Sequence, residues 1–281
     1  ANTAYTNQML DYESRTGEEI PESMHNTLNK LFQDSAFVTY DEGSEQYTDK
    51  SGNVYTRISD FIKNFIYKGV VDFFGFDGNE DDYAHNREWG NQIDSIFESV
   101  LEGSSEEEAI NKWKVNSDFS VAAISEDVAR RLFKDFTNLK EKEYSNAIII
   151  PQVVIFNQEK KIAGRADAVA VFEDGTIKVI DLKSSITSTK GFEYAKEYTT
   201  AKGPRASKKL RHSAQVSAYK GLFLSQGYEF NNDDLGIIPT YIKGTDENNF
   251  ADEVELEPEI EVNGIQDVVS SLDVDNTYKG E

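Results

Sequence analysis

Apolar positions along this chain keep one period up to about residue 142 and another after it. In the first part they recur at helical spacing. Within the polar residues 1–50 a short helix is expected over 24–32. Ser59 is placed to cap the next one, with Phe61, Ile62, Phe65 and Ile66 along one face. The acidic, glycine-containing run 75–82 reads as a loop. A long helical pattern then covers 84–101 and stops at Gly103. Ser104 or Ser105 opens another helix, and Ser125 caps a third that runs to about Leu139.

From Ala147 onward the period falls to two. The stretches 147–157, 161–173 and 177–184 are β-branched or alternating, and Glu173-Asp174-Gly175-Thr176 supplies a hairpin turn between the last two. A helical pattern returns over 207–225, and two further strands are expected near 236–242 and 252–262. Helices, a β-meander, a helix and more strands together predict an α/β domain with a mixed central sheet flanked by helices.

Composition changes this picture in three places. The 281 residues are 38% hydrophobic, enough for a sizeable core, and contain no run of eighteen apolar residues that could span a membrane. The absence of cysteine excludes disulfides, thiolate zinc sites and cysteine-held iron–sulfur clusters, and makes a reducing, cytoplasmic setting the expectation. The net charge of −22 argues at first against a nucleic-acid partner. Its distribution is uneven, however. From residue 229 onward fifteen acids stand against Lys243 and Lys279, whereas between Lys183 and Lys220 nine bases stand against Glu193 and Glu197.

That basic stretch begins at the residues that carry chemistry. In Ile180-Asp181-Leu182-Lys183 the acid and the amine are two apart, so on a strand they project to one face. Alone, such a pair is equally well a surface ion pair. Asp167, in Gly164-Arg165-Ala166-Asp167, lies on the strand joined to this one by the 174–175 turn, where both carboxylates can meet at one divalent ion. A lysine beside that ion can orient or deprotonate a water and steady charge on a phosphoryl group.

The series Gly164-x-x-Asp167, Asp181-x-Lys183 and Gln215-x-x-x-Tyr219 resembles the signature of RecB-type nucleases in the PD-(D/E)XK superfamily. Upstream, 90–98 resembles the family's helix with a metal-binding histidine, and 55–58 resembles the opening of the module in mitochondrial genome-maintenance exonucleases and their phage relatives. The resemblance spans about 54–243, leaving 1–53 as a polar extension and 244–281 as an acidic segment. It implies a restriction-endonuclease-like core, Mg²⁺ or Mn²⁺ as cofactor, and exonucleolytic hydrolysis of DNA at ends or in single strands.

Carried onto this sequence, the resemblance implies Asp94, Asp167, Asp181 and the Leu182 carbonyl as metal ligands. Lys183, Gln215 and Tyr219 complete the catalytic set, with Glu98 as a further acid. Asp94 stands where the family has histidine, and Gln152 where many relatives have glutamate. Arg165, Lys202, Arg205, Lys208, Lys209 and Arg211 are the expected phosphate contacts, and Tyr194 and Tyr198 are placed either to stack on bases or to form a mobile lid. The rival readings are a non-catalytic nucleic-acid-binding or phage structural protein on the same frame, and a restriction endonuclease, for which no recognition element is evident.

Overall fold

The computed structural model describes residues 2–65, 80–185, 195–199, 205–245, 248–256 and 260–261. Two helices open it, α1 (Asn2–Thr16) and α2 (Glu22–Phe37), followed by strands β1 (Val38–Asp41), β2 (Gln46–Asp49) and β3 (Val54–Arg57). Next come α3 (Ile58–Phe65), α4 (Glu80–Leu101), α5 (Glu106–Asn116), β4 (Ala123–Ile124) and α6 (Glu126–Glu143). The meander is β5 (Ala147–Asn157), β6 (Ile162–Phe172) and β7 (Ile177–Ser185). Strands β8 (Ala195–Thr199) and β9 (Arg205–Ser207) pair with each other and lead into α7 (Lys208–Ser225). The final strands are β10 (Phe230–Thr245), β11 (Phe250–Leu256) and β12 (Ile260–Glu261).

The protein is mixed α/β. Its sheet runs β1-β2-β3-β6-β7-β10-β11-β4, with β5 on the other edge of β6 and β12 beside β10. The β5–β6 and β6–β7 pairs are antiparallel, whereas β7–β10 and β3–β6 are parallel. Alternation along the central strands feeds two cores. Ile148, Ile150, Val169 and Val179 pack with Tyr12, Met24, Leu28, Phe61 and Phe223, from α1, α2, α3 and α7. Ile149, Ala168, Ala170, Ile180 and Leu182 pack with Trp89, Ile93, Phe97, Trp113 and Phe136, from α4, α5 and α6. Helices therefore cover both faces, and among the described residues none is long and apolar enough to cross a membrane.

The helix ends follow the expected chemistry. Gly103, at φ +76°, ends α4 with two bonds back into the last turn, Gly103 N to Val100 O at 3.1 Å and Ser104 N to Ser99 O at 3.0 Å. Ser105 and Ser125 accept from the amides of Glu108 and Val128, capping α5 and α6.

Three expectations need correcting. Ser59 lies inside α3, which starts at Ile58, so it is not a cap; Arg57 precedes the helix and holds Asp60 in its first turn at 2.9 Å. Residues 80–82, read as loop, already belong to α4; the rest of that stretch, 75–79, lies outside the described residues. The helix expected over 24–32 is part of α2, and the polar first fifty residues hold α1 and the β1–β2 hairpin besides. Tyr12, Met24, Leu28 and Leu31 bury an apolar stripe that polar neighbours disguise in the sequence.

Candidate active site

The site forms where two central strands part. Strands β6 and β7 are registered from Val171↔Ile177 to Ala168↔Ile180, which brings Asp167 and Asp181 opposite each other next in line. There the ladder gives way to a side-chain bond: the Leu182 amide donates to Asp167 Oδ2 at 2.7 Å. In a strand a residue's N–H and C=O share an edge, so the Leu182 carbonyl opens on the same side as Asp167.

On the far side of β6, β5 contributes a distortion at the same level. Ile148 and Ile150 lie in one core, and so do Val153 and Ile155, although unbroken alternation would separate the pairs. The change of face falls at Gln152, whose φ is +53°, in register with Asp167 between Pro151↔Ala168 and Val153↔Ala166. Gln152 is thus placed at the kink that turns β6 at its aspartate.

Helix α7 fills the opening. Tyr219 OH donates to the Arg165 carbonyl at 2.9 Å, supplying a partner for a backbone oxygen at the fork. Gln215 Nε2 donates to Tyr219 OH at 3.2 Å, and Lys183 Nζ donates to Gln215 Oε1 at 3.0 Å while standing 3.1 Å from Asp181 Oδ2. An unbroken chain of contacts therefore runs from β6 through α7 to the amine on β7.

Gly164 makes room for it. A Cβ there would stand 2.4 Å from Tyr219 Cε1 and 3.0 Å from Ile58 Cγ2. Gly164→Ala is expected to push the tyrosine ring aside and destabilise the fold by about 1–3 kcal/mol. Tyr219→Phe keeps the ring and leaves the Arg165 carbonyl unpartnered, for a loss of about 1 kcal/mol. Chemical denaturation of the two variants checks that order.

Asp94 arrives on α4. Gly90, one turn earlier, sits where a Cβ would be 3.2 Å from Ser184 Oγ, so the helix lies close against β7. Gln92 fixes the same turn, donating to the Ala122 carbonyl and accepting from Trp113 Nε1 and the Ile124 amide. Sequence reading passed over this buried glutamine, whose only signal was a polar residue on the apolar face of a helix. Glu98, one turn beyond Asp94, is drawn to Lys112 at 3.7 Å.

Electrostatics tie the acids together. Burial is the main cause that raises the Asp94 carboxyl to about 7, with Lys183 and Arg165 opposing and Asp181 and Glu98 contributing to the rise. Burial also pushes Asp167 well above the usual carboxylate range, reinforced by the charges of Asp181 and Asp94 and by a hydrogen bond with Asp181. Among the described residues Asp181 Oδ2 is buried and without a hydrogen-bond partner, its ion-pair contact being Lys183.

Three acids thus surround one ammonium, and the excess negative charge is relieved by protons or by a cation. Among the described residues no three His, Asp or Glu side chains are drawn together as a ready-made cation cage. The hard carboxylate oxygens, among them the buried Asp181 Oδ2 with the Lys183 ammonium 3.1 Å from it, nevertheless suit a divalent ion.

A pH dependence follows. Asp94 rises from 3.8 to about 7 on folding, so between those values the folded state holds a proton that the unfolded chain has released. The stability this group contributes is full below pH 3.8 and lost as pH rises through about 7. In EDTA the melting temperature is expected to fall from pH 5 to pH 8, with Asp94→Asn flattening the decline. Mn²⁺ is expected to raise the melting temperature more at pH 8 than at pH 6.

Of the expected phosphate contacts, Arg165 flanks the site. Arg205 lies on β9, and Lys208, Lys209 and Arg211 lie in the first turns of α7. Lys202 and Tyr194 fall outside the described residues, and Tyr198 is on β8.

No family model matches the chain, and no curated protein does. The crystal structure of SSO0001 is similar over 68% of this chain and 82% of that one, with 16% identity and a TM-score of 0.27, a likeness too slight to bear on function.

Proposed function

We propose that this protein is a Mg²⁺- or Mn²⁺-dependent deoxyribonuclease that hydrolyses phosphodiester bonds at DNA ends or in single strands. The observation that carries this reading is one amine, Lys183, held between Asp181 and Gln215 beside two further acids, Asp167 and Asp94, whose carboxyls burial pushes above the usual range. A sheet whose central strands part at their aspartates also fits the restriction-endonuclease-like core that the sequence resemblance implies.

Asp94, Asp167, Asp181 and the Leu182 carbonyl would hold the metal. When bound, the ion supplies Lewis-acid polarisation of the scissile phosphate and makes water more acidic. Lys183, held between Gln215 and Asp181, stands where its ammonium would orient the attacking water or steady charge on a phosphate oxygen. Tyr219 and Gln215 fix where that amine stands. In the reaction the water oxygen bonds to phosphorus, the bond to the leaving sugar oxygen breaks, and the proton lost by water ends on that oxygen.

A second reading is a non-catalytic nucleic-acid-binding or phage structural protein on the same frame. The net charge of −22 favours it, because a molecule that repels DNA as a whole is poorly equipped to capture its ends. End-labelled single- and double-stranded DNA, incubated with Mg²⁺, Mn²⁺ or EDTA, separates the two. Metal-dependent loss of label supports the nuclease. DNA retained but intact under every metal condition supports the second reading.

A further inference from the structure

The N-terminal hairpin, which the sequence presents as a polar extension, reaches the candidate site. Strands β1 and β2 pair with Tyr40 opposite Tyr47, β2 continues into β3, and β3 runs beside β6 at Thr56↔Ile162 and Arg57↔Ala163. The sheet therefore delivers the hairpin next to Arg165. The Arg165 guanidinium lies over the Tyr40 ring, 4.5 Å from its centroid, and the Tyr40 and Tyr47 rings are 4.7 Å apart. Its Nη1 meets Glu42 Oε1 at 3.4 Å.

We propose that Arg165, Tyr40 and Glu42 form a phosphate subsite beside the acid cluster, with the Glu42 carboxylate occupying the place that a nucleic-acid phosphate takes. The proposal rests on the nuclease reading and adds a binding position to it.

Three features support the assignment. First, the cation is restrained: the guanidinium carbon lies over the Tyr40 ring, and an arginine held so suits a two-oxygen anion in the place of Glu42. Second, the carboxylate is weakly held. Glu42 is 81% exposed and touches Arg165 through a single long contact, an arrangement that contributes little to stability. The turn itself does not depend on that contact. Asp41 Oδ1 accepts from the Ser44 amide at 2.9 Å, and Glu45 is held by Arg57 at 3.0 Å. Glu42 can leave without moving the hairpin.

Third, the position suits a chain substrate. Arg165 is two residues before Asp167, about 6.6 Å along a strand, on the scale of the gap between neighbouring phosphates of an extended nucleic acid. Its backbone carbonyl is the one bonded by Tyr219, so the subsite and the Lys183 chain share an anchor.

The test is fluorescence anisotropy with a short, labelled single-stranded oligonucleotide, in Ca²⁺ to slow cleavage. Glu42→Gln is expected to bind about 2- to 5-fold more tightly, since it removes an exposed competing charge. Arg165→Met is expected to bind about 10-fold more weakly, and in the double variant the gain from Glu42→Gln should vanish. An unchanged affinity for Glu42→Gln, or a gain that persists without Arg165, overturns the subsite. Hydrolysis of bis(p-nitrophenyl) phosphate by the unaltered protein with Mn²⁺ tests the nuclease reading separately, because that diester has no neighbouring phosphate. If it is not cleaved the nuclease reading falls, while the oligonucleotide affinities still decide whether Glu42 competes for Arg165.

Discussion

Lys183→Met is expected to lower single-turnover cleavage by about 10²- to 10⁴-fold, the range for a positioned proton-transfer group, while the protein still folds and still binds metal. Lys183 is half-buried, and its aliphatic stem is reproduced by methionine, so packing changes little. What disappears is the ammonium 3.1 Å from Asp181 Oδ2 and 3.0 Å from Gln215 Oε1. Removing a cation from among three acids raises their mutual repulsion, so calorimetry should find metal binding preserved or strengthened as cleavage fails. Gln215→Ala gives a milder version of the same defect, because the amine stays but loses its orienting partner. A Lys183→Met variant that cleaves at the wild-type rate would reduce the lysine to an ion-pair partner and leave the acids as a binding site.

The contrast between what could and could not be read in advance has a physical basis. The meander was legible because β5, β6 and β7 carry their period openly and Asp174-Gly175 marks the turn. Asp174 Oδ1 accepts from the Thr176 amide there, and Gly175 takes φ +82°. With that hairpin known, the approach of Asp167 to Asp181 followed from register. The kink at Gln152 was not legible, because a non-glycine residue with positive φ has no compositional mark.

Helix α1, the β1–β2 hairpin and the extent to which α2 is core were not legible for a related reason. The apolar residues Tyr12, Met24, Leu28 and Leu31 are sparse among polar neighbours, and only the sheet to which they dock reveals them as core. Arg165 was singled out from its place next to the motif. Its partners Tyr40 and Glu42 lie more than 120 residues away and share no local pattern with it.

Neutralising Lys202, Arg205, Lys208, Lys209 and Arg211 together is expected to weaken DNA binding severely and to flatten its salt dependence by up to roughly three units of log–log slope. That figure follows from a release of about 0.7 counterion per phosphate contact on a single strand. With a net charge of −22, most of the surface repels a polyanion, so productive contact must concentrate where cations do. Helix α7 has no acid in its first turn and instead has Lys208, Lys209 and then Arg211. Cations at that end oppose the helix dipole, a cost that is offset when an anion sits there. The same helix carries Gln215 and Tyr219 one to three turns on, so a phosphate drawn to its start lies on the element that orients the Lys183 amine. The variant should keep its metal affinity, because Asp94, Asp167 and Asp181 lie on α4, β6 and β7. Equal slopes for variant and wild type would make the basic stretch an ordinary charged surface. The acidic surplus would then count fully against a nucleic-acid substrate.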